Sequence, residues 1–390
     1  MKVPLLDLQA QLKTFEEEMV AAVTDVVRST RYIGGPEIEA LEKEISEYSG
    51  AAYGIGVSSG TDALLVALMA LDIKEGDLVL TTPYSFFATM GVILRLGARP
   101  VFADIDPVSY NIDPEKVAQA LADDTKKRIK AIIPVHLYGQ CADMTRIMAL
   151  AEQYDIPVVE DAAQAIGAEC PFTENGTTRV MKAGAIGIAG CFSFFPSKNL
   201  GGIGDGGMVI SQGEQFAKKV ELLRNHGAYP KYYHKMVGGN FRLDALQAAA
   251  LRIKLRHLDS WHKQRAANAA TYNKLFSDCG LISGAEITTP VSVYGEASTD
   301  ENNYHIYNQY ILRVSQRDGL REWLLKNDIG CEVYYPVPLH KQECLGVDAE
   351  KWDMPHAEKA AEETIALPIY PELTTEMQMY VVETIKKYYQ

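Results

Sequence analysis

The residues that could do chemistry fall in three short stretches. The first is SSGTDALLVAL, residues 58–68. Ser, Thr and Asp stand where a strand pattern ends and a nearly all-apolar helix pattern begins, and these residue types cap helices. The free N–H groups and the dipole at a helix start also make an anion site, so the stretch reads equally as a phosphate cradle. Taken alone, the capping reading is the stronger, because such caps are common. The second stretch is VVEDAAQAIGA, in which Asp161 closes an apolar strand. Ligands of α/β proteins sit at the carboxyl ends of strands, and a carboxylate there can hold a protonated ring nitrogen. A helix cap, with Glu160 as its solvated neighbour, is the even alternative. Gln164 lies three residues on, so one helical turn would aim both groups the same way. The third stretch is CFSFFPSKNLGGIGDGG, residues 191–207, with Lys198 at its centre. A lysine in a low-dielectric pocket loses its proton more easily, and the free amine attacks carbonyls. The glycines after it would let the backbone approach a bulky ligand. A surface turn is the ordinary alternative. The glycines lack the GxxxxGK[ST] order and no clear helix follows them, which excludes a nucleotide loop of that kind.

Together, a phosphate cradle, a strand-end carboxylate and a later lysine match the needs of one cofactor, pyridoxal 5'-phosphate. It requires an anchor for its phosphate, an acid that keeps its pyridine nitrogen protonated, and a lysine that forms the Schiff base. On this reading Lys198 is the covalent anchor and proton shuttle.

These groups need a rigid frame. Strand patterns occur at 53–57, 77–82, 99–105, 129–137 and 155–161, with helical patterns between them, as at 61–71 and 144–154. Alternation at this spacing predicts a parallel sheet covered on both faces. The strands CFSFF (191–195) and GGMVIS (206–211) are too close for a helical crossover, so an antiparallel element is expected there. A long helical pattern runs over 244–276, and a domain boundary is placed inside it. The division is a large domain over 1–255 and a small α+β domain over 256–390, with strands in NQYILRV and CEVYYPV and a helix over TEMQMYVVETIKKYY. The stretch 287–303 reads as an exposed loop.

The chain has 390 residues and a formal net charge of -13, which argues against nucleic-acid binding and requires a local basic pocket for any anionic substrate. Six cysteines without CxxC spacing argue against a disulfide framework and a structural zinc site, and no metal is expected. The beginning of the chain shows no apolar signal-peptide core, and no run is long enough to span a bilayer, so a cytoplasmic protein without membrane contact is the expectation.

Six segments, SSGTDALLVAL, PVHLYGQCADM, VVEDAAQAIGA, CFSFFPSKNLGGIGDGGMV, RNHG and GGNFRLDALQAAALRIKL, resemble the DegT/DnrJ/EryC1/StrS sugar aminotransferases, in order and over nearly the whole chain. The resemblance implies the fold-type I pyridoxal-phosphate architecture and a homodimer with shared active sites. It implies that Lys198 forms the Schiff base, that Asp161 pairs with the pyridine nitrogen and that Gln164 lies beside the ring oxygen. Gly60, Thr61 and Ser193 would bind the phosphate, Phe86 would stack on the ring, and Asn240 would reach the phosphate in the other subunit. Arg242, His226, Tyr335 and His305 are implied on the substrate side, with Tyr307 and Tyr32 as further candidates. The segment 170–182 departs from the family pattern as a longer polar connection.

The reaction so implied is ping-pong. L-glutamate, or glutamine, leaves its amino group on the cofactor as pyridoxamine 5'-phosphate, which passes it to a nucleotide-linked keto-sugar. HLYGQCADM and YPVPLHKQ are more similar to members acting on 3-keto sugars, UDP-2-acetamido-3-keto sugars in particular. The amino sugar nucleotide would serve polysaccharide, lipopolysaccharide (O-antigen) or antibiotic assembly. The competing readings are a 4-keto sugar aminotransferase, a sugar dehydratase, which Lys198 disfavours because dehydratase relatives carry histidine there, and a non-catalytic regulatory protein. A Rossmann dehydrogenase is excluded, since no GxGxxG opens a helix after the first strand.

Overall fold

A computed structural model describes residues 1–282, 287–299 and 301–390. The central strands are β1 (Tyr53–Val57), β2 (Leu78–Thr81), β3 (Arg99–Phe102), β4 (Ile129–Ile133) and β5 (Val159–Asp161). A hairpin of β6 (Glu169–Glu174) and β7 (Thr177–Lys182) follows, then β8 (Ala189–Ser193) and β9 (Gly207–Ser211). Ladders and bridges join seven of them in the order β1-β9-β8-β5-β4-β2-β3. All neighbours run parallel except β9, which is antiparallel to both β1 and β8. The mostly parallel sheet and the antiparallel element are thus as the strand spacing predicted. Strands β4 and β5 are shorter than their apolar runs, because Pro134 and Pro157 lack the N–H a continued ladder needs.

The strands are apolar throughout because both faces are covered. The helix Gly60–Ala70, with seven buried residues, lies on one face with Ala88–Arg95 and Glu214–Arg224. The helices Pro36–Ser49, Met144–Tyr154 and Ala245–Leu255 cover the other. The long helical pattern over 244–276 divides at 256–257 into Ala245–Leu255 and Leu258–Asp278. The second helix packs with Arg317–Lys326 and Thr375–Tyr389 on the antiparallel strands β10 (Ile287–Thr288), β11 (Tyr310–Val314) and β12 (Thr364–Leu367). Val3 joins this C-terminal core through a bridge to Ile329.

Three local readings differ. CEVYYPV is a loop in which only Glu332 pairs, with Ala366, because the Tyr334 carbonyl and the Tyr335 N–H bond the hydroxyls of Tyr84 and Tyr138 instead of a ladder. The polar connection over 170–182 is the β6–β7 hairpin, turned at Asn175 and Gly176, both with positive φ. The stretch 287–303, of which residue 300 lies outside the described residues, begins with β10, and its loop is tied to the segment after β4: Val293 N–H donates to Gln140 Oε1 at 2.8 Å and the Tyr294 hydroxyl to the Ala142 carbonyl at 2.9 Å.

Glu160 is not solvated. It is fully buried (0% exposed), and its oxygens accept the N–H groups of Gly184, Ile186 and Gly187 at 2.6–2.8 Å. His136 Nδ1 accepts the Ala142 N–H at 3.1 Å, so its Nε2 carries the hydrogen and donates to Glu160 at 2.8 Å. One carboxylate thereby pins two loops behind the end of β5. Glu160→Ala strands these donors, and at about 1 kcal/mol or more per orphaned N–H the protein loses about 3 kcal/mol. Calorimetry should show a clear drop in Tm; an unchanged Tm contradicts the anchoring role.

Candidate active site

The functional candidates collect at the carboxyl edge of the sheet. Val57 ends β1, and the helix Gly60–Ala70 starts three residues later, with the Ser59 hydroxyl accepting from the Asp62 N–H at 3.0 Å. Ser193 ends β8 beside that helix start: a Cβ built on Gly60 would stand 2.6 Å from the Ser193 Cβ and 3.0 Å from its hydroxyl oxygen. Gly60 and Ser193 therefore border one concavity, with Thr61 the next residue of the helix, and only glycine permits the approach at position 60. Backbone N–H groups, a hydroxyl and the positive end of a long helix converge there, which suits a phosphate.

Asp161 ends β5 and is buried. Its Oδ2 accepts from the Thr89 hydroxyl at 2.8 Å and its Oδ1 from the Ala163 N–H at 3.2 Å. Burial raises the Asp161 carboxyl above the ordinary carboxylate range, against the pull of these hydrogen bonds and of Lys198. A carboxylate that lacks solvent in this way gains strongly from a cationic partner such as a pyridinium. Ser85, at 3.1 Å from the Thr89 hydroxyl, extends the chain of hydrogen bonds behind it. Thr89 and Ser85 were not singled out from the sequence, since a 72-residue separation hides the contact with Asp161.

Lys198 sits half-buried at the turn after β8. Its N–H bonds to the Phe195 carbonyl at 2.8 Å, and the Gly202 N–H to the Phe194 carbonyl at 2.8 Å, so the loop is closed on itself. The glycines serve this closure rather than a ligand: a Cβ on Gly201 would lie 2.2 Å from the Pro196 carbonyl oxygen, and one on Gly207 2.4 Å from the Ser59 carbonyl oxygen. Desolvation brings the Lys198 amine down to about 8, while the Asp161 carboxylate pulls it back up. Near neutral pH the neutral fraction is then far larger than that of a free lysine, as a nucleophilic amine requires.

Gln164 is buried one turn after Asp161. Its Oε1 accepts the Tyr138 N–H at 2.7 Å and its Nε2 donates to the Tyr335 hydroxyl at 3.0 Å. Phe86 is 57% exposed, with its ring centroid 6.2 Å from that of Tyr335. Phe86 lies three residues before Thr89, the residue that bonds Asp161, so the two belong to one helical start. Tyr335, Phe86, Gln164, Asp161 and Thr89 form one connected group.

Arg242 pairs its backbone with Val57, at the entrance to the helix start, and its buried Nε has no protein partner. His226 and Asn240 lie together on an exposed ladder, with Asn225 bridged to Asn240 and the His226 N–H on the Gly239 carbonyl at 2.9 Å. His305 is placed differently. It is buried, stacks on Tyr307 at 3.9 Å, and accepts the Tyr307 N–H on Nδ1 at 3.1 Å. Burial holds its imidazole down to about 3, a neutral packing group rather than a poised acid. Tyr307 is buried with it, whereas Tyr32 is exposed and donates its hydroxyl to the Val27 carbonyl at 3.2 Å.

The family model of the DegT/DnrJ/EryC1/StrS aminotransferases matches residues 13–386. The chain belongs to this aminotransferase family. It is 46% identical over 390 residues to a pleiotropic regulatory protein of Geobacillus stearothermophilus, covering 100% of this chain and 99% of that one. It is 37% identical to a UDP-N-acetyl-3-dehydro-alpha-D-glucosamine 3-aminotransferase of Acidithiobacillus ferrooxidans, covering 99% and 97%. Among solved structures, NtdA of Bacillus subtilis with bound cofactor PMP superposes with a TM-score of 0.86 at 30% identity, covering 99% of this chain and 85% of that one. The fold is the fold-type I architecture that the resemblance implied, and pyridoxal 5'-phosphate is the cofactor of this aminotransferase. Among the described residues no helix is long and apolar enough to cross a membrane, and no cluster of His, Cys, Asp and Glu suits a metal.

Proposed function

We propose that this aminotransferase moves an amino group from L-glutamate to a nucleotide-linked 3-keto sugar, with a UDP-2-acetamido-3-keto sugar as the favoured acceptor. The observation that carries the chemistry is the convergence of the Gly60–Ser193 concavity, the buried Asp161 and the desolvated Lys198 at one edge of the sheet. The 3-amination is supported by the name of the Acidithiobacillus relative. When bound, the cofactor supplies an electron sink and an amine carrier. Gly60, Thr61 and Ser193 would hold its phosphate. Asp161 would hold the proton on its ring nitrogen, Gln164 would stand at its ring oxygen, and Phe86 would cover its face. Lys198 Nζ would anchor the cofactor and carry a proton to and from the substrate carbon. Arg242 supplies positive charge for the sugar nucleotide, which the overall acidity of the chain otherwise repels, and His226 offers a ring nitrogen beside it. The exposed ladder of His226 and Asn240 supports a homodimer in which each subunit completes its partner's site.

Because Lys198 is held down to about 8, uptake of pyridoxal 5'-phosphate by the apo-protein should accelerate as pH rises and level off above about 8. The growth of the visible band in a rapid-mixing experiment reads this directly; a midpoint near that of free lysine contradicts it.

The relative of 46% identity, named as a regulatory protein, favours a second reading, a non-catalytic regulator. One experiment separates the two. Purified protein loaded with cofactor is mixed with L-glutamate, and its visible band is followed. Bleaching, with release of 2-oxoglutarate, supports the enzyme; an unchanged spectrum supports the regulator. Incubation of the bleached form with UDP-linked and dTDP-linked 3-keto and 4-keto sugars, with NMR of the products, then tests the acceptor. Amination at C4 alone overturns the 3-keto assignment.

A further inference from the structure

A buried tyrosine outside the candidate site residues joins the two sides of the site. Tyr84 lies in the turn between β2 and the helix Ala88–Arg95 and is fully buried. Its hydroxyl is 2.8 Å from the Tyr334 carbonyl oxygen, 2.7 Å from Thr364 Oγ1 and 3.2 Å from the Tyr335 N–H, all in the C-terminal part of the chain. The Tyr138 hydroxyl stands 3.2 Å away on the other side. Tyr138 donates to the Tyr334 carbonyl, whose oxygen has a second lone pair, and Thr364 is 2.7 Å from the Ala360 carbonyl. The single hydrogen of Tyr84 lies between the Tyr334 carbonyl and Thr364 Oγ1, and its oxygen accepts from the Tyr335 N–H. The same turn is gripped a second time by the Leu339 N–H on the Pro83 carbonyl, at 2.7 Å.

What this arrangement holds in place is Tyr335, whose hydroxyl accepts from Gln164 Nε2. The Tyr138 N–H on Oε1 settles which end of the Gln164 amide is nitrogen. That nitrogen carries two hydrogens. One is taken by Tyr335, and the second remains for the ring oxygen of the cofactor. Burial raises the Tyr84 phenol above the ordinary tyrosine range, so it stays a protonated donor.

We propose that Tyr84 is a positioning residue for the transamination: its hydroxyl sets the backbone at 334–335 so that Tyr335 orients the Gln164 amide toward the cofactor ring oxygen. This rests on Gln164 being the ring-side group. A donor on the ring oxygen draws negative charge away from the nitrogen that joins Lys198 to the cofactor. Weakening that donor leaves more charge near the nitrogen, which then keeps its proton to higher pH.

The test uses loaded protein and reads the pH midpoint of the visible band, with Tm measured alongside. Tyr84→Phe and Tyr335→Phe should each move the midpoint upward by about half a pH unit or more, the size of one neutral hydrogen bond. The double variant should move it no further than Tyr335→Phe alone, because the two act in series. An unmoved midpoint in Tyr84→Phe, or additive shifts, overturns the proposal. If Tyr84→Phe does not fold, Thr364→Val decides: it removes a hydrogen-bond partner of the Tyr84 hydroxyl, an upward shift supports the proposal and no shift overturns it. Failure of the underlying reading looks different. A native protein that forms no visible band overturns the cofactor assignment of Lys198, and a midpoint unmoved by Gln164→Ala overturns the ring-side role of Gln164.

Discussion

Lys198→Ala yields a folded protein whose turnover is lower by about ten-thousand-fold, the upper range for a positioned proton-transfer group. The loss is that large because the proposed function gives one amine two duties, anchoring the cofactor and moving the substrate proton. The variant should still bind pyridoxamine 5'-phosphate, since the Gly60–Ser193 concavity and Asp161 are untouched. Its visible band should resemble free cofactor rather than the lysine-bound form. A control distinguishes position from basicity. Lys254, on the helix Ala245–Leu255, is buried and, like Lys198, brought down to about 8 by desolvation, but its neighbour is the Trp261 ring, 6.0 Å from the amine. Lys254→Met should keep its turnover. Full activity in Lys198→Ala would sink the assignment.

Asp161→Asn should lower kcat by about a hundred- to a thousand-fold, the scale of losing one preorganised electrostatic partner. Asparagine keeps the shape and can still accept from Thr89, so the loss reports charge and not packing. A second, independent readout follows from the lysine. The Asp161 carboxylate raises Lys198 against the effect of burial, so removing the charge lets the amine fall below about 8. The pH at which the apo-protein takes up pyridoxal 5'-phosphate should therefore move down in Asp161→Asn. An unmoved profile with an intact fold contradicts the coupling of the two groups.

How much of this could be read from the sequence depended on the range of the contacts. The strand Tyr53–Val57 and the helices Met144–Tyr154 and Thr375–Tyr389 follow from local pattern, and their boundaries agree with the structure. The helix Glu16–Ser29 was legible but unread: Met19, Val23 and Val26 recur at helical spacing on its inner side. Asn175-Gly176 likewise signals the hairpin, but β7 is polar and largely exposed, so no apolar alternation drew attention to it. Lys198, Asp161 and Gly60 were accessible because each sits at a strand–turn or strand–helix junction. Glu160, Thr89 and Tyr84 were not, because their partners are 24 to 280 residues away and nothing in the local sequence separates a buried polar residue with distant partners from a solvated one.

The lysine loop has a practical side. Its glycines press against Pro196, Gln247 and Ser59, all protein atoms, so its shape is assembled when the chain folds and owes nothing to the cofactor. Chain produced in cofactor-starved cells should accordingly be dormant rather than damaged. It can be stored in that form and charged on demand with natural cofactor or with isotope-labelled or ring-modified analogues, with no refolding step in between.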